Sequence, residues 1–191
     1  MSRNLIFFFL LSCSKIVDIE VYDYLPFKKF QNWIYLDQNN NEFRLSVIKD
    51  DSFFVVLNFE GNLEFLQNRG DMVFIKRKIE FSNYDQLVVA YDGYLPYFPY
   101  PFVNGFDREY IISGNNFFTK TKISINKEDL NYYLNYYYYE QTPNSKKTIR
   151  KIYKFAPDSF IVYAELGPDT LIDGNYIQIK ERKILKILRI E

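Results

Sequence analysis

The chain has 191 residues and a mass of 23.1 kDa, with 24 basic and 24 acidic side chains, no histidine and one cysteine. A formal net charge of zero does not provide the basic surface of a general nucleic-acid-binding protein, so we expect no nucleic-acid partner. The lack of histidine excludes Ser-His-Asp and Cys-His catalysis and zinc sites of cysteine and histidine, and one cysteine excludes an internal disulfide.

The amino-terminal segment combines one cation, an apolar run and the cysteine. Arg3 precedes an uninterrupted apolar run at residues 5–11, and Ser12 and Cys13 follow it. Seven helical residues rise about 10 Å, much less than the roughly 30 Å core of a bilayer, so the run does not predict a transmembrane span. The order of charge and apolar run is instead typical of a secretory signal peptide.

Residues 10–13, Leu-Leu-Ser-Cys, resemble the lipobox of bacterial lipoprotein signal peptides, in which an apolar, a variable and a small residue precede a cysteine. The resemblance implies that the Cys13 thiol receives a diacylglycerol and that residues 1–12 are removed as a signal peptide. Acyl chains anchor firmly because each buried CH₂ contributes about 0.8 kcal/mol. This implies a membrane-anchored protein of the bacterial cell envelope, in the outer membrane or facing the periplasm. The alternative is that residues 5–11 form a buried strand and Cys13 is a core thiol.

Residues 13–191 are predicted to form a single β-rich domain. Their apolar residues alternate with polar ones at period two, as expected for strands whose successive side chains point to opposite faces. Strands are predicted at residues 17–22, 33–36, 43–47, 52–59, 72–81, 86–91, 110–112, 117–125, 148–155, 160–166, 176–180 and 183–190. About ten short strands at such spacing predict an all-β fold, an antiparallel β-barrel or β-sandwich with at most one short helix.

Residues 126–140 fit two structures. Asn126 as a cap and Asp129 three residues later are typical of a helix start, and apolar residues at helical spacing follow. The tyrosine-rich residues 132–140 instead favour a strand. We predict one helical turn followed by a strand, and residues 127–139 remain open between the two structures.

The carboxy-terminal tail places Ile177, Ile179, Ile184 and Ile187 after the turn-forming residues 174–176. This pattern is similar to the closing hairpin of small lipocalin-like bacterial lipoproteins. The resemblance implies that a hairpin of the last two strands completes a small lipocalin-like barrel.

The segment at residues 94–102 contains three prolines and five aromatic residues. Prolines at this density favour an extended, polyproline-like loop over a central strand. Aromatic rings on such a loop could stack on sugars, enter a lipid surface or contact a partner protein. The candidate ligand- or partner-binding residues are Tyr94, Tyr97, Phe98, Tyr100 and Phe102. In the alternative, the loop folds over one mouth of the barrel and its rings complete the core.

Residues 136–139 are four consecutive tyrosines, and on a strand two of them point inward. Tyr136 and Tyr138 are therefore further candidates for contact with an amphipathic ligand. Inward-facing tyrosines suit an ordinary core equally well.

Carboxylates supply the remaining candidates for chemistry. Asp50 and Asp51 are adjacent and would diverge on a strand, so they do not form a catalytic pair. Asp169 and Asp173 lie in a predicted loop that lacks the spacing of a calcium-binding loop, and a solvated turn is favoured. The basic residues 76–78 and 146–147 are predicted to belong to solvated faces.

These patterns predict a protein that is not an enzyme, uses no cofactor or metal, and contacts the membrane through lipidated Cys13. It would bind a small apolar or amphipathic ligand or another envelope protein. The alternative is a structural or adhesive surface protein that uses the aromatic and proline-rich loop and has no ligand cavity; a carboxylate-based hydrolase would need a paired acidic motif. A pocket of several hundred Å³ would favour ligand binding, whereas a filled interior with a flat aromatic patch would favour adhesion.

Overall fold

The computed structural model describes residues 31–50, 54–84 and 86–191, and this part of the chain contains strands and turns but no helix. The all-β prediction is confirmed, with fourteen strands in the described residues in place of about ten. Cys13, residues 5–11 and the predicted strand at 17–22 lie outside the described residues. Across the described ranges, no helical segment has the length and hydropathy required to cross a membrane.

The strands follow one another with short turns between most of them. In chain order they are β1 Asn32–Asp37, β2 Glu42–Asp50, β3 Phe54–Leu57, β4 Leu63–Arg69, β5 Met72–Asn83, β6 Gln86–Pro99, β7 Phe106–Gly114, β8 Phe117–Glu128, β9 Asn131–Gln141, β10 Ser145–Ala156, β11 Phe160–Leu166, β12 Asp169–Asp173, β13 Tyr176–Lys180 and β14 Lys183–Ile190.

The fourteen strands form one antiparallel sheet that is nearly closed into a barrel. Strands β1 to β6 pair in chain order, as do β7 to β11, and β14 joins the two series by pairing with both β1 and β11. The two ends of this order are β6 and β7. Aromatic side chains connect the two series across the barrel: the Tyr97 ring on β6 lies 5.0 Å from the Tyr136 ring on β9. The architecture is thus a nearly closed antiparallel barrel.

The core lies inside the curved sheet and follows the period-two alternation of the sequence. On β5, Val73, Ile75, Ile79 and Phe81 are buried while the residues between them are wholly or partly exposed. Burying each such side chain contributes about 1.5–3 kcal/mol, so the inward faces supply the main drive for closing the barrel.

Residues 126–140 contain no helical turn, and that part of the prediction is wrong. Strand β8 continues through Glu128, and Asp129 and Leu130 form the turn that leads directly into β9. The backbone of Asp129 has a φ of 54°, in the left-handed region that aspartate tolerates in turns. Strand β9 pairs with β8 on one side and β10 on the other. Those two ladders satisfy its backbone groups, and the strand prevails over the local capping pattern.

The predicted loop at residues 94–102 is largely a strand, which corrects that prediction. Strand β6 extends through Pro99, and its register pairs Phe74 with Pro96 and Met72 with Pro99. Proline is tolerated there because β6 lies at the end of the sheet, where one side of its backbone needs no ladder partner.

The tail of the chain differs from the closing hairpin that was predicted. Strand β13 pairs with β12, whereas β14 pairs with β1 and β11, so the last two strands do not form a hairpin with each other. Strand β12 includes Asp169 and Asp173, which were predicted to lie in a solvated turn. It pairs with residues 145–148 of β10, while residues 151–156 of β10 pair with β11.

Candidate functional site

The barrel interior contains a cavity of about 640 Å³. Its inner wall consists of buried, mainly apolar and aromatic side chains, which include Leu45, Val56, Phe59, Leu66, Phe98, Phe155 and Phe160. Exposed residues of the β3–β4 turn and of the hairpin formed by β12 and β13 lie at its mouth. A volume of this size lies within the range of pockets that enclose small organic ligands.

Besides Glu60, Lys147, Asp169 and Lys180, three further charged side chains line this cavity: Glu64 on β4, Arg77 on β5 and Lys151 on β10. Each occupies an inward-facing position in the alternation of its strand. Arg77 lies between the buried residues Ile75 and Ile79, and the flanking Lys76 and Lys78 are exposed. We call Glu64, Arg77 and Lys151 the interior charge cluster.

Glu64 and Lys151 form an ion pair in the wall of the cavity. The Lys151 Nζ lies 3.4 Å from the Glu64 Oε1, and their side chains are 14% and 11% exposed. The Asn58 amide nitrogen donates a second hydrogen bond of 3.0 Å to the same carboxylate oxygen. Because these partners satisfy the carboxylate, the pair persists in a largely desolvated setting.

The pKa shifts of both partners favour the ionised pair. Burial raises the pKa of Glu64, but the positive charges of Lys151 and Arg77 outweigh it, and the net pKa lies below the usual value. Burial lowers the pKa of Lys151, but the negative charge of Glu64 outweighs it, and the net pKa lies above the usual value. Both groups are therefore charged near neutral pH.

Arg77 is the third member of the cluster and has no ion pair among the described residues. Glu64 and Arg77 both line the cavity, and the positive charge of Arg77 lowers the pKa of Glu64. The Arg77 Nε is sealed from solvent and has no hydrogen-bond partner in the described part of the chain. Burial lowers the pKa of Arg77, but neighbouring groups that include the Glu64 carboxylate outweigh it, and the net pKa is raised, so the guanidinium remains charged.

Buried tyrosine hydroxyls surround the cluster. The Tyr97 and Tyr153 hydroxyl oxygens are 3.3 Å apart, and the Lys151 Nζ lies 5.7 Å and 6.0 Å from the two ring centroids. The Tyr136 hydroxyl lies near Arg77 without a hydrogen bond of good geometry among the described residues. Burial raises the pKa of Tyr97, Tyr136 and Tyr153, so these groups are neutral hydrogen-bonding partners near neutral pH.

The mouth of the cavity is partly covered by the hairpin of β12 and β13. All five residues of β13 are exposed, and β13 pairs only with β12 in the described residues. The Lys180 Nζ on β13 forms an ion pair with the Glu60 carboxylate in the turn between β3 and β4. This contact joins the hairpin to the opposite side of the mouth.

Most of the aromatic residues predicted to bind a ligand or partner lie in the core. The structure buries Tyr97, Phe98, Phe102, Tyr136 and Tyr138, all in one hydrophobic cluster. Of these, Tyr97 and Phe98 line the cavity, and Phe102 packs on Phe155, with 4.6 Å between ring centroids.

Tyr94 and Tyr100 are only partly buried and do not line the cavity. The Arg69 guanidinium lies 4.9 Å from the centroid of the Tyr94 ring, while the Tyr100 ring packs edge-on against Phe102. The predicted lipidation site, Cys13, lies outside the described residues.

The interior charge cluster was not predicted from the sequence. Residues 76–78 were assigned to a solvated face, which is correct for Lys76 and Lys78 and wrong for Arg77. The period-two alternation could have predicted that Arg77 faces inward, because it continues the period of Val73 and Ile75. Lys151 likewise continues the period of Ile149 and Tyr153 on β10.

Comparison with known proteins assigns no family to this chain. No protein-family model matches it, and no curated protein matches its sequence. A similar solved structure is that of a candidate lipoprotein from Parabacteroides distasonis, which is 12% identical, with a TM-score of 0.42, covering 91% of this chain and 100% of that chain. A likeness at this level assigns no activity to the present chain.

Proposed function

We propose that this protein is a non-enzymatic, lipid-anchored protein of the bacterial cell envelope that binds a small amphipathic molecule inside its barrel. The observation that carries the proposal is the cavity of about 640 Å³, which combines a buried apolar wall with a few charged and hydroxyl groups. Ligand sites typically have this composition, because apolar area supplies affinity and a few polar groups fix orientation.

The membrane anchor in this proposal rests on the sequence around Cys13. A cation, an apolar run, a small residue and the chain's only cysteine occur there in the order that a lipobox requires. Acyl chains on Cys13 would supply the affinity for the membrane, since a net charge of zero gives only weak attraction to anionic lipid.

The adhesive alternative loses its main support in the structure. It required the rings of residues 94–102 on the surface, and Tyr97, Phe98 and Phe102 are at most 8% exposed. The rings that remain accessible, Tyr94 and Tyr100, are themselves partly buried.

Two measurements test the proposal. Titration of the full chain with 1-decanol, an uncharged amphiphile, should change the fluorescence of Trp33, the only tryptophan. The Trp33 ring lies 5.1 Å from that of Phe160, which lines the cavity. The response should saturate at one decanol per protein. A response that never saturates, or none at all, would contradict binding in the cavity.

The anchor is tested by cell fractionation. Wild-type protein should be found with membranes, carry added lipid mass and lack residues 1–12, whereas Cys13→Ala should be released as a folded, soluble protein. Ser14→Ala, one residue further, is the matched control and should remain membrane-bound. Wild-type protein that retains residues 1–12 and carries no lipid would disprove the anchor and leave the cavity proposal standing.

A further inference from the structure

We infer that the ligand of this cavity carries an anionic head group, a carboxylate or a phosphate, which binds between the Arg77 guanidinium and the Lys151 ammonium. The inference rests on the proposed function, since it names the chemical class of the molecule that the barrel would bind. A ligand of this class pairs its anion with the interior charge cluster and lays a single apolar chain against the aromatic wall.

The charge balance of the cavity is the first argument. The interior charge cluster contains two cations, Arg77 and Lys151, and one carboxylate, Glu64. Glu64 already pairs with Lys151 at 3.4 Å, so the cluster has one positive charge in excess. The other charged lining residues, Lys147 and Lys180 against Glu60 and Asp169, balance one another. A buried charge without a counter-charge is costly, and an anion that enters the cavity removes that cost.

The hydrogen-bonding state of Arg77 is the second argument. Its Nε is shielded from solvent and has no partner among the described residues, although buried donors are nearly always satisfied. A guanidinium presents its donors in a planar fork that matches the oxygens of a carboxylate or phosphate. An anion beside Arg77 would accept a hydrogen bond from this buried donor.

The neighbouring hydroxyl supports the same position. The Tyr136 hydroxyl is near Arg77, its side chain is only 2% exposed, and it lacks a partner within the described ranges. A bound anion would accept a hydrogen bond from this neutral hydroxyl as well as from the guanidinium. Glu140, a carboxylate further along the same strand, already accepts a hydrogen bond of 2.6 Å from the Tyr138 hydroxyl.

The rest of the cavity determines the shape of the ligand. Buried apolar side chains form its inner wall, and exposed residues such as Glu60 and Lys180 lie at its mouth. An apolar chain gains about 25 cal/mol for each Å² that it buries against such a wall. An anionic amphiphile therefore satisfies both parts of the cavity.

The test compares three probes with the same ten-carbon chain. Decanoate, decyl phosphate and 1-decanol are titrated into the purified full chain in a non-ionic detergent, with Trp33 fluorescence as the signal and protein-free micelles as the blank. At least one anionic probe should bind at least tenfold more tightly than decanol, because charge-assisted hydrogen bonds are about twice as strong as neutral ones. The stronger of the two anions identifies the head group.

A variant pair assigns the effect to the site. Arg77→Met should lower the affinity for the preferred anion at least tenfold and leave that for decanol within about twofold. Lys76→Met, on the same strand but facing solvent, is the matched control and should bind like wild type. Arg77→Lys tests whether a point charge alone is sufficient, and it should recover only part of the affinity.

The outcomes separate the two proposals. Equal binding of all three probes, or equal losses for Arg77→Met and Lys76→Met, would overturn the anionic head group and leave the ligand cavity intact. If none of the three probes binds saturably, the proposal of a ligand cavity is itself overturned.

If circular dichroism shows that Arg77→Met is unfolded, a second variant replaces it. Lys151→Met together with Glu64→Gln removes one cation and its partner carboxylate. That double variant should retain part of the preference for the anion, and loss of all preference with folding intact would contradict the role of Arg77.

Discussion

The Nζ of Lys151 lies 3.4 Å from the Oε1 of Glu64, and this contact links two strands that are not neighbours in the sheet. Glu64 belongs to the series of strands that begins at β1, and Lys151 belongs to the series that ends at β11. The ion pair therefore connects the two halves of the barrel through its interior. The same pair forms part of the polar lining of the cavity, so this contact across the barrel and the proposed ligand site share residues.

Replacing Glu64 should destabilise the protein. Glu64→Gln leaves Lys151 and Arg77 without a carboxylate, and loss of one partner of a buried pair costs about 3–5 kcal/mol. Because both side chains retain slight exposure, we expect a decrease of about 3 kcal/mol in the free energy of unfolding, measured with urea. The exposed pair of Lys180 and Glu60 supplies the control, and Lys180→Ala should cost less than about 1 kcal/mol. Equal losses in the two variants would contradict the role of the interior pair.

Replacing Arg77 should have the opposite effect on the free protein. Arg77→Met removes the excess cation and leaves Glu64 and Lys151 as a balanced pair, while the methionine retains apolar contact with the wall. The ligand-free variant should have a free energy of unfolding equal to that of wild type or up to about 1 kcal/mol higher. A loss of 3 kcal/mol or more in the same urea titration would show that Arg77 stabilises the barrel and is not held available for a ligand.

The stability of the barrel should depend on Glu64 in acid. The pKa of Glu64 is lower in the folded protein than its ordinary value of 4.5, so between these two values the unfolded chain binds more protons. The stabilising contribution is complete above about pH 4.5 and is lost as the pH falls through the folded pKa. Between about pH 6 and pH 3, wild type should therefore lose more stability than Glu64→Gln. Parallel pH profiles of the two proteins would contradict the shift.

The aromatic segment should behave as core in mutational tests. Phe98 is 2% exposed and packs between Tyr97 and Phe155, with ring centroids 5.0 Å and 6.0 Å away. Phe98→Ser should therefore cost about 3–5 kcal/mol, as large-to-small changes in cores do. Tyr94→Ser, on the same strand but partly exposed, is the control and should cost about 1 kcal/mol or less. A Phe98→Ser variant as stable as wild type would show instead that this segment lies on the surface.

The sequence by itself determined the fold class and most of the strands. Alternation at residues 72–81 and 183–190 predicted strands that the structure contains, because period two follows from the geometry of any single strand. Local capping patterns gave a wrong prediction where the backbone pairs with strands that are distant in the sequence or adjacent in the sheet. The cap-like Asn126 and Asp129 predicted a helical turn, but the ladders of β9 with β8 and β10 decided in favour of the strand.

Only the tertiary structure decided where the chemistry lies. Whether the prolines of residues 94–102 are tolerated in a strand depends on β6 being at the end of the sheet, which no local pattern encodes. Whether an inward-facing charge finds a partner depends on barrel closure, which brings together Glu64 and Lys151, 87 residues apart in the chain. The alternation could place Arg77 on the inner face, but only the barrel shows that it belongs to a cluster with one carboxylate for two cations at the cavity. Periodicity is a property of one strand, whereas charge balance is a property of the space that all the strands enclose.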